Sequence, residues 1–479
     1  MLILERSCAA IARRFSIRMA STKYSYEDAV QKLNTLQSNK STIQQIRKDL
    51  KSGKGSTSAM CESILRAHGF RTGFYSSPHL VAVRERVRLC GTPIHEHMFA
   101  QYFHEVYEAL YNTQRFKDDM PKYFAFLTVL AFHVFLREKV DVAVVEVGIG
   151  GIVDYTNVLR KVPIVGITSL GLDHTSILGN TLAEIAAAKA GIMKPNCEAY
   201  TVNQSPEAMR VLEKVATDVK CSLKIVPEYN SYSFQNGLRH DIALEAYQMN
   251  ASLAVQLAHA WMRVARENKT NHRQETNGNE IINGNSNTDL NKATSIDNGL
   301  VQTLTKETVI GLRDCKWPGR FHVIHTDLAD FYLDGAHTKE SIEICAEWFE
   351  QNNRCRDKVL IFSATGDRDA EVLLSPLQKI NFRAVYFVIP TAYKYTSKQN
   401  DNFSILENDE LLQRCKNHAN IWKKNYNNTT THIMECVSEV IMHLDTENCD
   451  ISVLITGSLH LVGASLAIID PNLCLNKNK

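Results

Sequence analysis

Six short stretches, with Lys189 beside them, carry residue types that could do chemistry together. In Gly53-Lys54-Gly55-Ser56-Thr57, glycines let backbone N–H groups curl round phosphate oxygens at the start of a helix. Lys54 adds a mobile cation, and Ser56 can reach a phosphate or its metal. A polar glycine turn ahead of a helix explains the pentapeptide equally well. In Glu146-Val147-Gly148-Ile149-Gly150-Gly151, a carboxylate closes an apolar run, where it must be paired or hold a cation such as Mg2+. In Gly171-Leu172-Asp173-His174-Thr175, His174 follows the next apolar run, and Lys189 lies among small apolar neighbours that favour a reactive amine. Structural readings stay open for both: a core histidine and a solvated helix lysine. In the last third, Arg320 of Trp317-Pro318-Gly319-Arg320 can clamp phosphate. Asp334 of Asp334-Gly335-Ala336-His337 can accept from a ribose or adenine, and Gly457-Ser458-Leu459-His460 repeats the strand-then-turn arrangement.

Strands and helices in βαβ order must hold these groups. Val140 to Val147 and Val162 to Leu170 read as strands buried on both faces of a parallel sheet. Between and after them, Tyr123 to Lys139 and Leu182 to Met193 read as helices. The helix opened by Lys54 is expected to run to about Gly69 with Met60, Ile64 and Ala67 on one stripe. In an open parallel sheet, ligands gather at the carboxyl ends of strands, where Glu146 and His174 fall. Asp330 to Leu333, Val359 to Ser363, Ala384 to Ile389 and Val453 to Thr456 supply a second set of strands. The fold class is therefore α/β: a mainly parallel phosphate-loop sheet domain, then a smaller Rossmann-like α/β domain.

With 479 residues, 44% hydrophobic and 22% charged, the chain supports two domains. A net charge of +2 leaves no electrostatic footprint for nucleic acid, and no stretch reaches membrane-spanning length. The 12 cysteines show neither Cys-x-x-Cys nor finger spacing and read as reduced thiols. Residues 1–21 carry Arg6, Arg13, Arg14 and Arg18 against Glu5 alone, a mitochondrial (matrix) transit pattern, and initiation at Met19 would give a cytoplasmic form. Residues 22–266 form the first domain, 267–307 an Asn-rich disordered linker and 308–479 the second domain.

In this order, the motifs resemble the folylpolyglutamate synthases of the Mur ligase superfamily, eukaryotic type, over nearly the whole chain. The resemblance rests on YEDAVQKLNTLQSN, GKGST, TGFYSSPHL with VRERV, VEVGIGG with DYTN, SLGLDHTSILG, KAGI, WPGR, LDGAHT, ATGDRD and TGSLHLVG. It implies that Gly53, Lys54, Gly55 and Ser56 cradle ATP, with Asn250, Arg320 and Asp334 assisting. It also implies that Ser77, Glu146 and His174 hold Mg2+, with Lys189 as a carbamate at a second Mg2+ and a monovalent cation such as K+ as a further cofactor. Lys54, His337 and Lys189 take catalytic roles, and Ser76 to Arg86 lies near the folate. The implied reaction phosphorylates the γ-carboxylate of a reduced folate and lets L-glutamate attack the acyl phosphate, in a monomer.

The chain departs from the family pattern just before Gly53. Leu50 and Lys51 stand where glycine and threonine belong, and Thr42 to Lys48 have no strand pattern. A leucine at a glycine-type φ costs on the order of 1 kcal/mol, so the expectation is a phosphate-loop strand deleted before Gly53. Ile152 also replaces an arginine of the pattern. Dihydrofolate synthase, and a catalytically impaired folate-binding variant, are the alternatives.

Overall fold

The computed structural model describes residues 1–5, 25–37, 53–116, 119–172, 175–235, 240–242, 244–276, 296–353, 357–364, 369–395, 401, 408–425, 429–445 and 450–473. It divides into two compact units. One comprises Met1–Tyr26, Lys51–Ser77 and Arg86–Lys316, the other Glu27–Leu50, Pro78–Glu85 and Trp317–Lys479.

The first unit holds an eight-stranded sheet. Its strands are β1 (Leu2–Glu5), β2 (Thr72–Tyr75), β3 (Val87–Leu89), β4 (Thr92–Pro93), β5 (Val142–Val145), β6 (Ile164–Ile167), β7 (Glu198–Thr201) and β8 (Ser222–Ile225), in the order β4-β3-β2-β5-β1-β6-β7-β8. Strands β2 and β5 pair in parallel, as do β6 with β7 and β7 with β8. The β-branched runs VAVV and IVGI are buried along their whole length, as a two-faced parallel core requires. Helices α2 (Lys54–Ala67), α3 (Glu96–Asn112), α4 (Tyr123–Arg137), α5 (Leu182–Ala190), α6 (Pro206–Val219), α7 (Glu245–Thr276) and α8 (Lys306–Arg313) belong to this unit. α1 (Tyr26–Thr35) begins in it and continues in the other.

One strand of this sheet does not come in the expected way. β1 lies between β5 and β6, antiparallel to both, with Leu2 opposite Val145 and Val165. A phosphate-loop strand from just before Gly53 was expected to be missing, and residues 38–52, where it would fall, lie outside the described residues. The slot between β5 and β6 is closed by the amino-terminal segment instead. Both neighbours thereby regain ladder partners that a buried strand edge cannot do without. Residues 2–5 thus have a role besides the proposed import signal, whose residues 6–21 lie outside the described set.

Helix α2 also differs from its expected single stripe. Every residue from Ser56 to Leu65 is buried, Glu62 included, because α7 and α8 pack on it from different sides. Glu62 is reconciled with burial by accepting a short hydrogen bond from Thr72 Oγ1 and by Arg66 at 3.5 Å. Gly311 of α8 lies so close that a Cβ there would meet Ile64 Cα at 2.6 Å. α7 extends to Thr276, into the stretch expected as linker, while residues 277–295 lie outside the described residues.

The second unit is built on β9 (His322–His325), β10 (Asp330–Leu333), β11 (Asp357–Phe362), β12 (Ala384–Val388), β13 (Thr430–Met434) and β14 (Ile451–Thr456), ordered β9-β10-β14-β11-β12-β13. All pairs are parallel except the β9–β10 hairpin at one edge. Alternation sends Leu360 and Phe362 to one apolar cluster and Val359 and Ile361 to another, so the sheet is packed on both faces. Helices α9 (Lys339–Asn352), α10 (Asn408–Asn425), α11 (Val437–Asp445) and α12 (Leu459–Ile469) complete it.

Candidate active site

In the first unit, the expected site residues converge where β5 and α2 meet the glycine-rich loop. Gly53 is the N-cap of α2 and supplies no side-chain cap, so the first-turn N–H groups are not claimed by a capping side chain. Glycine leaves room here for Asn250, since a Cβ would meet its Oδ1 at 2.0 Å and displace that side chain. The same Asn250 oxygen accepts from Thr57 Oγ1 at 3.2 Å, which ties α7 to the loop. Lys54 reaches across the sheet edge, its Nζ donating to the Gly148 carbonyl at 2.8 Å. Gly55 follows it in the first turn, and Ser56 is buried within the helix.

Glu146 directly follows β5 and is buried; its Oε2 accepts the Ser77 backbone N–H at 3.1 Å. Lys189, also buried, is in the last turn of α5. The glycine-rich loop rests against that turn. Ile152 N donates to the Ala188 carbonyl at 2.9 Å, and a Cβ on Gly151 would strike the carbonyls of Ala188 and Lys189. The amino group of Met1 arrives at the same edge because β1 runs backwards; it donates to the Gly166 carbonyl at 3.2 Å. Burial, then the positive charge of Lys54, pushes this ammonium down to about 5, while Glu146 opposes the shift. Thus Gly53, Lys54, Ser56, Ser77, Glu146, Lys189 and Asn250 are placed in one unit, while His174 and its neighbour Asp173 lie outside the described residues.

Two residues of the DYTN motif were not singled out from the sequence. Asp154 accepts from Ile149 N at 2.8 Å with one oxygen and from Thr156 N and Oγ1 with the other. It thereby fixes the turn whose Gly148 carbonyl holds Lys54. Asn157 donates to the carbonyls of Ile152 and Gly191, clamping the loop onto the end of α5. For Asp154, an Asp two residues ahead of Thr156, the spacing of an Asx turn, was the available signal.

In the second unit, three turns meet at the carboxyl ends of β10 and β14. Gly335 N donates to Gly319 O at 3.1 Å, and Gly457 N to Ala336 O at 3.0 Å. Asp334 is buried and accepts from Phe321 N and Ala336 N at 2.9 and 2.8 Å. Burial raises its carboxyl above the usual range, against the charge of Arg320 and those two N–H groups. Arg320 Nη1 packs where a Cβ on Gly335 would sit and donates to Gly319 O at 3.3 Å. His337 is buried with Nδ1 2.7 Å from Gly335 O, and its N–H donates to Ser341 Oγ at 3.1 Å. Asp334 therefore acts first as a brace of the turn. Of the ATGDRD motif, residues 365–368 lie outside the described set.

A glycine-capped helix with a lysine, a buried carboxylate at a strand end and a second α/β unit define the class: a phosphate-binding α/β protein of two units. Of solved structures, folylpolyglutamate synthase from Mycobacterium tuberculosis, complexed with ADP and AMPPCP, shares the fold with a TM-score of 0.63 at 22% identity. That likeness spans 93% of this chain and 95% of that one. No family model matches the chain. Mitochondrial folylpolyglutamate synthase of Homo sapiens is 38% identical over 83% of this chain and 73% of its own length. The Cricetulus griseus enzyme is 34% identical over 94% and 92%. The chain belongs to the folylpolyglutamate synthase family and is a ligase.

Proposed function

We propose that the chain joins L-glutamate in γ-linkage to tetrahydrofolate and its polyglutamates at the expense of ATP, through an acyl phosphate. The observation that carries this reading is the grouping of Lys54, Ser77, Glu146, Lys189 and Asn250 round the start of α2, on a chain 38% identical to a named folylpolyglutamate synthase. The open first turn of α2 receives the nucleotide phosphates. Lys54, held by Gly148 O in this structure, swings by its side chain alone to the transferring phosphoryl group. Arg320 and Asp334 take the nucleotide-contact roles of the family motif, and His337 lies near phosphoryl transfer.

The donor chemistry at Glu146 suits Mg2+, a hard cation that takes carboxylate and hydroxyl oxygen and keeps several other positions for water and phosphate. Among the described residues, no group of three or more His, Cys, Asp or Glu could hold a metal. Glu146 and Ser77 would hold the ion with His174, and Lys189 as a carbamate would serve a second. When bound, Mg2+ offsets the charge that builds on the phosphoryl oxygens. Glu146 meanwhile orients the Ser77 backbone, and Asp154 keeps the Gly148 turn in place. A monovalent cation such as K+ is a further cofactor of this reading. The enzyme works as a monomer on reduced folates and glutamate, and among the described residues no helix is long and apolar enough to cross a membrane. It is mitochondrial, as its relatives' names and its arginine-rich leader agree, with a cytoplasmic form from Met19.

The test is acceptor choice. Purified chain with ATP, Mg2+ and labelled glutamate should extend tetrahydrofolate and release one ADP per glutamate. Extension of dihydropteroate in its place would make it a dihydrofolate synthase. A second reading, folate binding without turnover, is favoured by the antiparallel β1 that brings the Met1 amino group to the phosphate edge. Equilibrium ATP binding with no ADP release would establish it.

A further inference from the structure

We propose that Cys197 and Cys221 are a reversible thiol–disulfide pair that cross-links β7 to β8 at the sheet edge remote from the phosphate loop. Their Sγ atoms are 3.2 Å apart, so bond formation needs an approach of only about 1 Å to the usual S–S length. Neither sulfur has to be carried there by refolding. Each cysteine stands one residue ahead of paired strand residues, Glu198 opposite Ser222. The ladder extends past them: Ser222 N donates to Cys197 O and Asn196 N to Lys220 O, both at 3.1 Å. Each is also preceded by a non-glycine residue in the left-handed region, Asn196 at φ 63° and Lys220 at φ 57°. Two matching turns thus aim the two side chains at each other.

The local chemistry suits exchange. Cys197 is held below the usual thiol range, first by the hydrogen bond with Cys221, then, against the effect of burial, by the Lys194 N–H and ammonium. Cys61 and Cys345, buried elsewhere, are pushed the other way by burial. Cys221 is pushed up, first by its hydrogen bond with Cys197 and then by burial. It is the half-buried member of the pair and the entry point once it has given up its proton, whereas Cys197 is buried. A short relay of hydrogen bonds links the pair to the glycine-rich loop. Lys194 N donates to Cys197 Sγ at 3.2 Å and its Nζ to Asn157 Oδ1 at 2.6 Å, and Asn157 clamps the glycine-rich loop.

The oxidant is a low-molecular-weight disulfide such as oxidised glutathione. Cys221 attacks it, forming a mixed disulfide while one glutathione thiolate leaves. Cys197 then attacks the Cys221 sulfur and expels the second. The two protein thiols lose two electrons, the small disulfide gains them, and the two protons end on the released thiols. α6 lies wholly within the loop this closes.

The test equilibrates the full chain anaerobically with glutathione buffers of rising oxidised fraction, traps thiols by acid and alkylation, and maps peptides by mass spectrometry. The expected result is a Cys197–Cys221 cross-linked peptide, lighter by two hydrogens and fully reversed by dithiothreitol. Cys197→Ser should leave Cys221 carrying one glutathione, and Cys221→Ser should leave Cys197 unmodified. Wild-type chain that keeps glutathione on Cys221 without a cross-link, or keeps both thiols alkylatable in the most oxidising buffer, overturns the proposal. The wild-type outcome stands on its own if either variant fails to fold.

Discussion

The two sheets reach a closed, double-faced core by different routes. In the second unit, the inner strands β14, β11 and β12 are mainly apolar runs, and β10, β14, β11, β12 and β13 pair in parallel. In the first unit, the central slot is filled by four residues from the amino terminus, running against both neighbours. A buried sheet edge demands a partner, but hydrogen bonding alone does not dictate which segment or which direction supplies it. Direction matters for function. A parallel strand entering this slot would deliver its chain to the phosphate loop, whereas β1 delivers the Met1 amino group.

The largest expected effects separate chemistry from bracing. Lys54→Met should lower kcat/KM by on the order of 10²–10³ and leave the urea midpoint unchanged, since its only described hydrogen bond goes to one loop carbonyl. Asp334→Asn should cost less in rate but about 1–2 kcal/mol in stability, because an amide oxygen must do the work of two carboxylate oxygens. Equal kinetic losses without a stability change at Asp334 would erase the distinction. Next, a chain started at Met19 lacks β1. It should lose on the order of several kcal/mol in the first unit, seen as an early unfolding phase, with the second unit's transition unmoved. A single unshifted transition would mean that another segment fills the slot.

A smaller effect sharpens the comparison by pH. In each unit one imidazole stands out for how far burial holds it toward the neutral form. Burial and then the His68 and Arg266 charges push His259 down to about 3, and burial with Arg414 pushes His418 down to about 4. The unfolded chain protonates them near pH 6.5, so it binds more protons across the interval, and stability falls as pH drops below that value. From about pH 7 to about pH 5 each should cost about 2 kcal/mol. His259→Gln should flatten the profile of the first unit only, and His418→Gln that of the second only. Smallest is Gly311→Ala, where the new Cβ presses on Ile64 and should cost about 1–2 kcal/mol in thermal unfolding of the first unit.

Much of this was legible in the sequence because apolar runs report burial directly. Val142–Val145, Ile164–Ile167 and the second-unit strands β10, β11, β12 and β14 follow from their apolar content, and Glu146 from a lone carboxylate at the end of such a run; the edge strands β9 and β13, HVIH and TTHIM, give no such signal. The placement of β1 was not legible: Leu2–Glu5 is a short apolar stretch inside an arginine-rich leader, and only a distant vacancy in the sheet gives it a position. Helix α2 was read with one apolar stripe, Met60, Ile64 and Ala67, whereas Ser56, Ser58 and Glu62 are buried as well. Their burial depends on α7 and α8, which lie far along the chain. Asp154 and Asn157 stayed hidden for the opposite reason, since polar residues in a loop are common and only hydrogen-bond partners distinguish a brace.

The measurement that bears most directly on the central claim is ATP- and Mg2+-dependent incorporation of labelled glutamate into tetrahydrofolate by the full chain, beside Lys54→Met and Glu146→Gln. The account predicts incorporation by the full chain that falls at least about 100-fold in either variant. Absent incorporation by a folded full chain, or incorporation that both variants retain, would contradict it.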